Sequence, residues 1–291
     1  MMSSASKSHS SNRARGAKSR RYLYAGEALH ERWDTLHRCD REPWPDPQWL
    51  STLARRYPLT ASELETRGGA RSVAGTLEEA WRTFHAGDYP RAIELGVELG
   101  PFGAAVASKA AAVQSLSAIH GSATVLELLA SAAARGEKAV DLLRGYPNAH
   151  YTLALVLGRY GQHISIIRAL AEGLAGRIES RLKRTLDLEP RHAEAHVALG
   201  LYHAEIIHQV GTLAGFAYGV SSKVALEHLH SAHELAPSSP VIDVEHARGL
   251  LLLDPDRYRD EAQALHEHAA RGQPVDAMEE LYVERARSAM V

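Results

Sequence analysis

The chain has 291 residues, of which 45% are apolar, with a formal charge of −2 and 17 histidines. That apolar share supports a large buried core and excludes disorder throughout, and the length allows one or two domains. A single cysteine, Cys39, excludes an internal disulfide, so packing must hold the fold. Only three Phe stand against long Ala- and Leu-rich stretches, which favours helix over strand. No apolar run reaches about 18 residues. With a polar N-terminus as well, the sequence predicts neither a membrane span nor a secretory signal, and a cytoplasmic location.

In residues 1–21, Lys7, Arg13, Arg15, Lys18, Arg20 and Arg21 all precede the first acid, Glu27, and seven serines lie among them. Such a stretch buries too little to offset the entropy of ordering it, and a disordered basic tail is expected. It is the one part of the chain suited to nucleic acid, an anionic membrane or an acidic partner, and its acid-free composition is also that of a transit peptide. Residues 22–72 read as an N-terminal helical segment. Leu29, Trp33, Leu36 and His37 mark a short helix, and Asp46-Pro47 is an N-cap and first-turn pair for a second that carries Trp49, Leu50 and Leu53. Trp33, Trp44 and Trp49 are expected against the first repeat. Thr60-x-x-Glu63 and Thr76-x-x-Glu79 have capping-box form, with Gly68-Gly69 between the helices they would start.

Residues 73–291 read as a series of helix pairs. Ala80, Gly87-Asp88-Tyr89 and Ala92 fall in a helix–turn–helix over 77–99. An Ala-rich pair follows at 102–119 and 124–143, split by Gly121-Ser122 and apolar enough to be buried on both sides. After a helix over 149–160, Ile167, Leu170, Leu174, Ile178, Leu182 and Leu186 form one apolar stripe. It predicts a single long helix of about 25 residues, near 40 Å in length. Helices over 192–210, 223–235, 241–252, 256–271 and 275–290 complete the series, the last polar enough to cap it.

Three second helices share one spacing: Ile178, Leu182, Thr185, Pro190; Ala225, Leu229, Ala232, Pro237; and Ala262, His266, Ala269, Pro274. First helices carry Ala154-x2-Leu157-Gly158 and His196-x2-Leu199-Gly200. Small residues let two helices approach while a large side chain fills the hole, and proline ends each pair. Together these slots resemble the tetratricopeptide (TPR) pattern. The resemblance implies an all-α fold of antiparallel helix pairs stacked as a TPR-like right-handed solenoid. Pro190 and Pro237 lie 47 residues apart against a period of 34, so about 13 residues are extra. They fall in an apolar, glycine-rich insertion at 211–222, which either seals the helix pair or lines a pocket or subunit contact through Phe216 and Tyr218.

Over residues 149–287 the order of features also resembles two TPR-like families, the T-component proteins of TRAP transporters and the regulators of microtubule dynamics. The residues concerned are Leu186-Asp187-Leu188-Glu189-Pro190, Ala195-His196-x2-Leu199-Gly200, the insertion, Ala225-Leu226-Glu227 and Glu234-Leu235-Ala236-Pro237. The first family implies uptake of small organic ligands. Its members carry a lipid-attachment cysteine behind a signal peptide, whereas Leu36-His37-Arg38-Cys39 lacks both the apolar segment and the small residues of that box.

The expected function is therefore a non-enzymatic scaffold that binds a protein or peptide in its groove, through Thr152, Leu155, Arg159, Val197 and Leu201. A small organic ligand held by the insertion is the alternative, and oligomerisation stays open. Arg177, Arg181 and Arg184 form a basic stripe suited to an anion, unless Glu179 and Asp187 neutralise it. His192, His196 and His203 share a helical stripe and are weak metal candidates, since His196 fills a packing slot and His203 stands where the repeat has Tyr. His203-Ala-Glu205-Ile-Ile-His208 has the wrong spacing for a zinc-protease helix, and His228, His230 and His233 read as solvated or half-buried. No phosphate-binding, dinucleotide-binding or nucleophile-elbow motif is present, so no cofactor is expected. A metal-dependent enzyme would need a site built from scattered His, Asp and Glu.

Overall fold

A computed structural model describes residues 21–165, 168–169, 172–211 and 219–290. The basic tail up to Arg20, and Ile167 and Leu170 of the apolar stripe, lie outside the described residues. Among the described residues, fourteen α-helices and two 3-10 turns carry the regular structure, with no strand. Three short helices come first: α1 (Ala28–Leu36), α2 (Pro47–Arg56) and α3 (Ala61–Thr66). Five antiparallel pairs follow. They are α4 (Gly69–His85) with α5 (Tyr89–Glu98), α6 (Ala104–Ser115) with α7 (Ala123–Leu142), and α8 (Pro147–Gln162) with α9 (Leu174–Leu188). Then come α10 (Ala193–Val210) with α11 (Ser222–Leu235), α12 (Pro240–Leu253) with α13 (Arg259–Arg271), and a last helix, α14 (Ala277–Ala289). First helices stack on first helices, α6 on α8 and α10 on α12, which makes the TPR-like solenoid.

Local chemistry sets the boundaries. Asp46, Asp88, Ser122, Ser239 and Asp276 each accept the backbone N–H three residues on, and Pro47, Pro90 and Pro240 occupy first turns where no donor is lost. Neither predicted capping box forms. Thr60 donates its hydroxyl backward to the Tyr57 carbonyl, and Thr76 lies inside α4, which starts at Gly69 after Gly68 turns the chain through the left-handed region. The predicted long helix is also shorter. Gly173, with φ of 61°, precedes a helix of 15 residues that begins at Leu174, because a left-handed residue cannot continue a right-handed ladder.

The repeat slots do what their sizes suggest. The side chain of buried Leu229 enters a notch between two glycines: a Cβ at Gly200 or Gly249 would come within 2.7 or 2.8 Å of it. Gly158, the matching position of the preceding pair, differs. Among the described residues nothing lies within 4 Å of its missing Cβ, so there is no close helix crossing there of the kind seen at Gly200.

The N-terminal helices share one core with the repeats. Leu29, Trp33 and Leu50 pack with Trp81, Phe84 and Leu153, and Trp33 meets Trp44 and Trp81 edge-on at 4.9 and 6.1 Å. The last helix is more than a polar cap, since Met278, Tyr282 and Val283 are buried and α14 touches α4. At Gly87 an added Cβ would sit 2.9 Å from the Ala277 Cβ, so the last helix abuts the first pair.

Candidate functional site

The inner face of the stack has a filled end and an open end. Residues 37–42 run across the filled end, where they meet side chains from α4, α6, α8, α10 and α14. Lys109 of α6 donates to Asp40 at 2.5 Å and to Glu194 of α10 at 2.9 Å, and all three are buried. Burial alone would raise the Asp40 carboxyl, but Lys109 and His37 outweigh it and hold it well below the usual carboxylate range. Among the described residues Glu42 has no salt-bridge partner. Burial, with repulsion from Asp40, pushes it up to about 8, while the Tyr146 hydroxyl and Asn148 Nδ2 donate to it.

The hydrogen bonds also fix an orientation. Because the Ala195 N–H donates to His192 Nδ1, the His192 proton must sit on Nε2, from which it donates to Asn148 Oδ1 at 2.8 Å. Asn148 Nδ2 is thereby turned to donate to the Asp40 carbonyl at 3.0 Å. At the same end His85 bridges His37, at 3.3 Å, and Asp276, at 2.8 Å.

At the open end a trough of about 610 Å³ is lined by residues of α6, α8, α12, α13 and α14 and of the turns after α6 and α8, with Arg159, Arg248, Arg285, His120, His163 and His266 among its walls. Glu245 is its carboxylate. It accepts from Arg159 at 3.0 Å, Tyr282 at 2.8 Å and Arg248 at 3.1 Å. Burial would raise Glu245, yet the two guanidiniums prevail and bring it down to about 2. Arg248 also pairs with Glu205. Arg285 is exposed, lies against the Tyr282 ring at 5.8 Å and makes no salt bridge among the described residues.

Between α8, α9 and α10 lie two joined cavities. A narrow one of about 100 Å³ is lined by Leu155, Arg159, Val197 and Leu201, with Glu205 and Tyr282. The structure thus brings together four of the five predicted groove residues. Thr152, the fifth, is buried, with its hydroxyl donating to the Asn148 carbonyl at 2.7 Å, and it does not line this cavity. A wider cavity of about 510 Å³ adjoins the first and is walled by Ile164, Leu174, Ile178, Tyr202, Ile206 and Val210. Phe216 and Tyr218 lie outside the described residues.

The arginine stripe is largely neutralised from an unexpected side. Arg177 and Arg181 both reach Glu137 of α7, at 2.8 and 3.4 Å, while Glu179 pairs with Lys183 and Arg184 stays exposed. The histidine stripe is not gathered either. His192 is committed to Asn148, His196 meets His228 at 2.8 Å, and His203 accepts from the Ser221 N–H at 3.3 Å. A different histidine group was not foreseen. His230, His246 and Glu261 bring one ligand atom each to within 4.8 Å of one another, and they sit on three separate helices with no short sequence spacing to reveal them. Burial, with His230 and His233 nearby, lowers His246 to about 4.

These elements define a TPR-like helical-repeat protein. The thermophilic TPR protein TTC0263 from Thermus thermophilus is similar in fold, with a TM-score of 0.54 and 19% identity over 74% of this chain and 99% of that chain. A human IFIT1 dimer solved with PPP-AAAA matches at 18% identity over 82% of this chain and 65% of that chain, and its TM-score of 0.36 carries no weight. No family model and no curated protein matches the sequence. Among the described residues, no helix is long and apolar enough to cross a membrane.

Proposed function

We propose that the chain is a scaffold that holds an acidic stretch of a partner protein in the open trough of its inner face. The observation that carries this is the convergence of Arg159, Arg248, Arg285 and three histidines on a trough whose lining includes one carboxylate, Glu245. Glu245 is shared between Arg159 and Arg248, and Glu205 pairs with Arg248 as well, so the two guanidiniums are held in place and the positive charge facing an entering carboxylate is chiefly that of Arg285. Arg159 is a poor position for a test, because it is tied to Glu245 and Tyr282 and its reversal would strain the fold itself. Exposed Arg285 is the better one.

The experiment is fluorescence anisotropy with a labelled oligoglutamate peptide. Binding should saturate, weaken with added salt, and fall on the order of tenfold in Arg285→Glu. Saturable binding that ignores both salt and the substitution would overturn the proposal, as would no binding. Co-purification from native cells followed by mass spectrometry would then identify the partner.

A second reading has its own observation. The 510 Å³ cavity is largely walled by aliphatic side chains and Tyr202, with Gln162, Glu205, His208 and Gln209 as polar points, which suits a small organic ligand. It predicts that a lipid-like or organic acid raises the thermal midpoint, whereas the oligoglutamate peptide would not compete for it.

A further inference from the structure

On the flank of the last complete repeats, α12 faces a seam between α11 and α13. At one level Asp243 of α12 joins both neighbours, with Oδ1 meeting His233 Nδ1 of α11 at 3.0 Å and Oδ2 meeting His268 Nδ1 of α13 at 2.7 Å. One turn further along α12 stands His246, flanked by His230 of α11 and Glu261 of α13. His230 Nε2 lies 3.6 Å from Glu261 Oε1, and the His230 and His246 rings are 5.4 Å apart between centroids. His246 is 2% exposed, and neither of its ring nitrogens has a hydrogen-bond partner among the described residues. Every other buried histidine among the described residues has at least one.

We propose that His230, His246 and Glu261 form a three-ligand site for a divalent transition metal, zinc above all, with solvent in the fourth position. Two imidazoles and one carboxylate are the donor set of an open tetrahedral zinc site, and the two nitrogens disfavour magnesium and calcium, which prefer oxygen alone. Bonds of about 2.0–2.2 Å require ligand atoms roughly 3.3–3.6 Å apart in a tetrahedron. The 3.6 Å pair already meets this, and the remaining spread, up to 4.8 Å, closes by rotating His230 and Glu261. Both are free to turn, with side chains 53% and 46% exposed, and the same exposure gives the ion its route in. His246 is fixed by burial and serves as the anchor. One level away, the shared carboxylate of Asp243 holds His233 and His268 to α12, so the seam is already set in register. An ion there would tie three helices from two successive repeats, a bracing role distinct from the trough.

The test uses the full chain, stripped with a chelator and titrated with zinc chloride by calorimetry, and with cobalt chloride by visible absorption. One equivalent should bind, with a tetrahedral cobalt spectrum and a raised thermal midpoint. Because His246 is buried, the variants are His230→Gln and Glu261→Gln, at exposed positions that should leave the fold intact. Each should weaken zinc binding by no less than the roughly 10- to 100-fold that loss of an outer-shell partner costs. The controls His196→Gln and His120→Gln should leave it unchanged. Failure to take up one equivalent, an affinity unmoved in either variant, or an equal loss in the controls overturns the site. None of these outcomes depends on whether the trough binds peptide.

Discussion

Replacing Lys109 with methionine should remove the cation that two buried carboxylates depend on. The volume is kept, so no cavity forms, but Asp40 of the 37–42 segment and Glu194 of α10 are left near each other without the cation that both met. Breaking a buried pair by deleting one partner costs about 3–5 kcal/mol. For a chain of 291 residues that corresponds to a fall of roughly 5–8 °C in thermal midpoint. The loss should also depend on pH in a defined direction. In the parent, Asp40 is depressed, so its contribution is present above the unfolded value of 3.8 and lost as pH falls further. Without Lys109, burial dominates both carboxyls and raises them, so the variant is hurt most at neutral and alkaline pH and recovers as they take up protons. Urea titrations of Lys109→Met at several pH values, alongside the triple variant with Asp40→Asn and Glu194→Gln, would measure this. The triple variant should regain most of the loss, since it carries no uncompensated charge. A penalty below about 1 kcal/mol, or one unchanged between acid and neutral pH, would refute the account of how residues 37–42 are held.

The parent should be most stable between about pH 4.5 and 6.5. Glu42 and Glu279 are raised to about 8 and about 7, chiefly by burial, so their contribution is full below 4.5 and lost as pH climbs through those values. His37 and His192 are lowered to about 4 and about 3, again chiefly by burial, so theirs is full above 6.5 and lost on acidification. Melting curves across pH 3–9 check it; a midpoint that rises steadily to pH 9 contradicts it. Gly158→Ala places a methyl where nothing lies within 4 Å, inside a helix, and should stabilise by up to about 1 kcal/mol while narrowing the cavity. A destabilised variant would show that α8 needs the glycine for a contact.

How far the sequence reveals this molecule depends on whether a residue does what its type usually does. Leu229 between glycines, and Asp88 opening α5 after Gly87, are ordinary uses of ordinary residues, and the helix pairs could be read from them. Lys109, Asp40, Glu42 and Glu194 are not, because charged side chains are almost always at the surface and nothing local in the chain shows that Lys109 pairs with Asp40 and Glu194 or that Glu42 is buried beside them. The docking of residues 37–42 was missed for that reason. Gly173 was missed for another: the apolar stripe runs through it without a break in periodicity, and only its positive φ ends the ladder. Leu155, Arg159, Val197 and Leu201 line one cavity, whereas Thr152, which repeat register puts on the same face as Leu155 and Arg159, is buried, so register does not say whether a residue on that face is covered.

The segment that leads into the first pair also reaches the last helix. Arg21 pairs with Glu280 at 3.3 Å, Tyr24 bonds to the Val275 carbonyl, and Arg38 pairs with Glu279. An open array of repeats can grow or shrink by duplicating or deleting a unit, because each unit touches only its neighbours. Here an added pair would swing α14 away from α4 and strand all of those partners. The number of units in this chain is therefore set by geometry, like the links of a closed hoop, and its lineage should vary in loops and tails sooner than in the count of its helices.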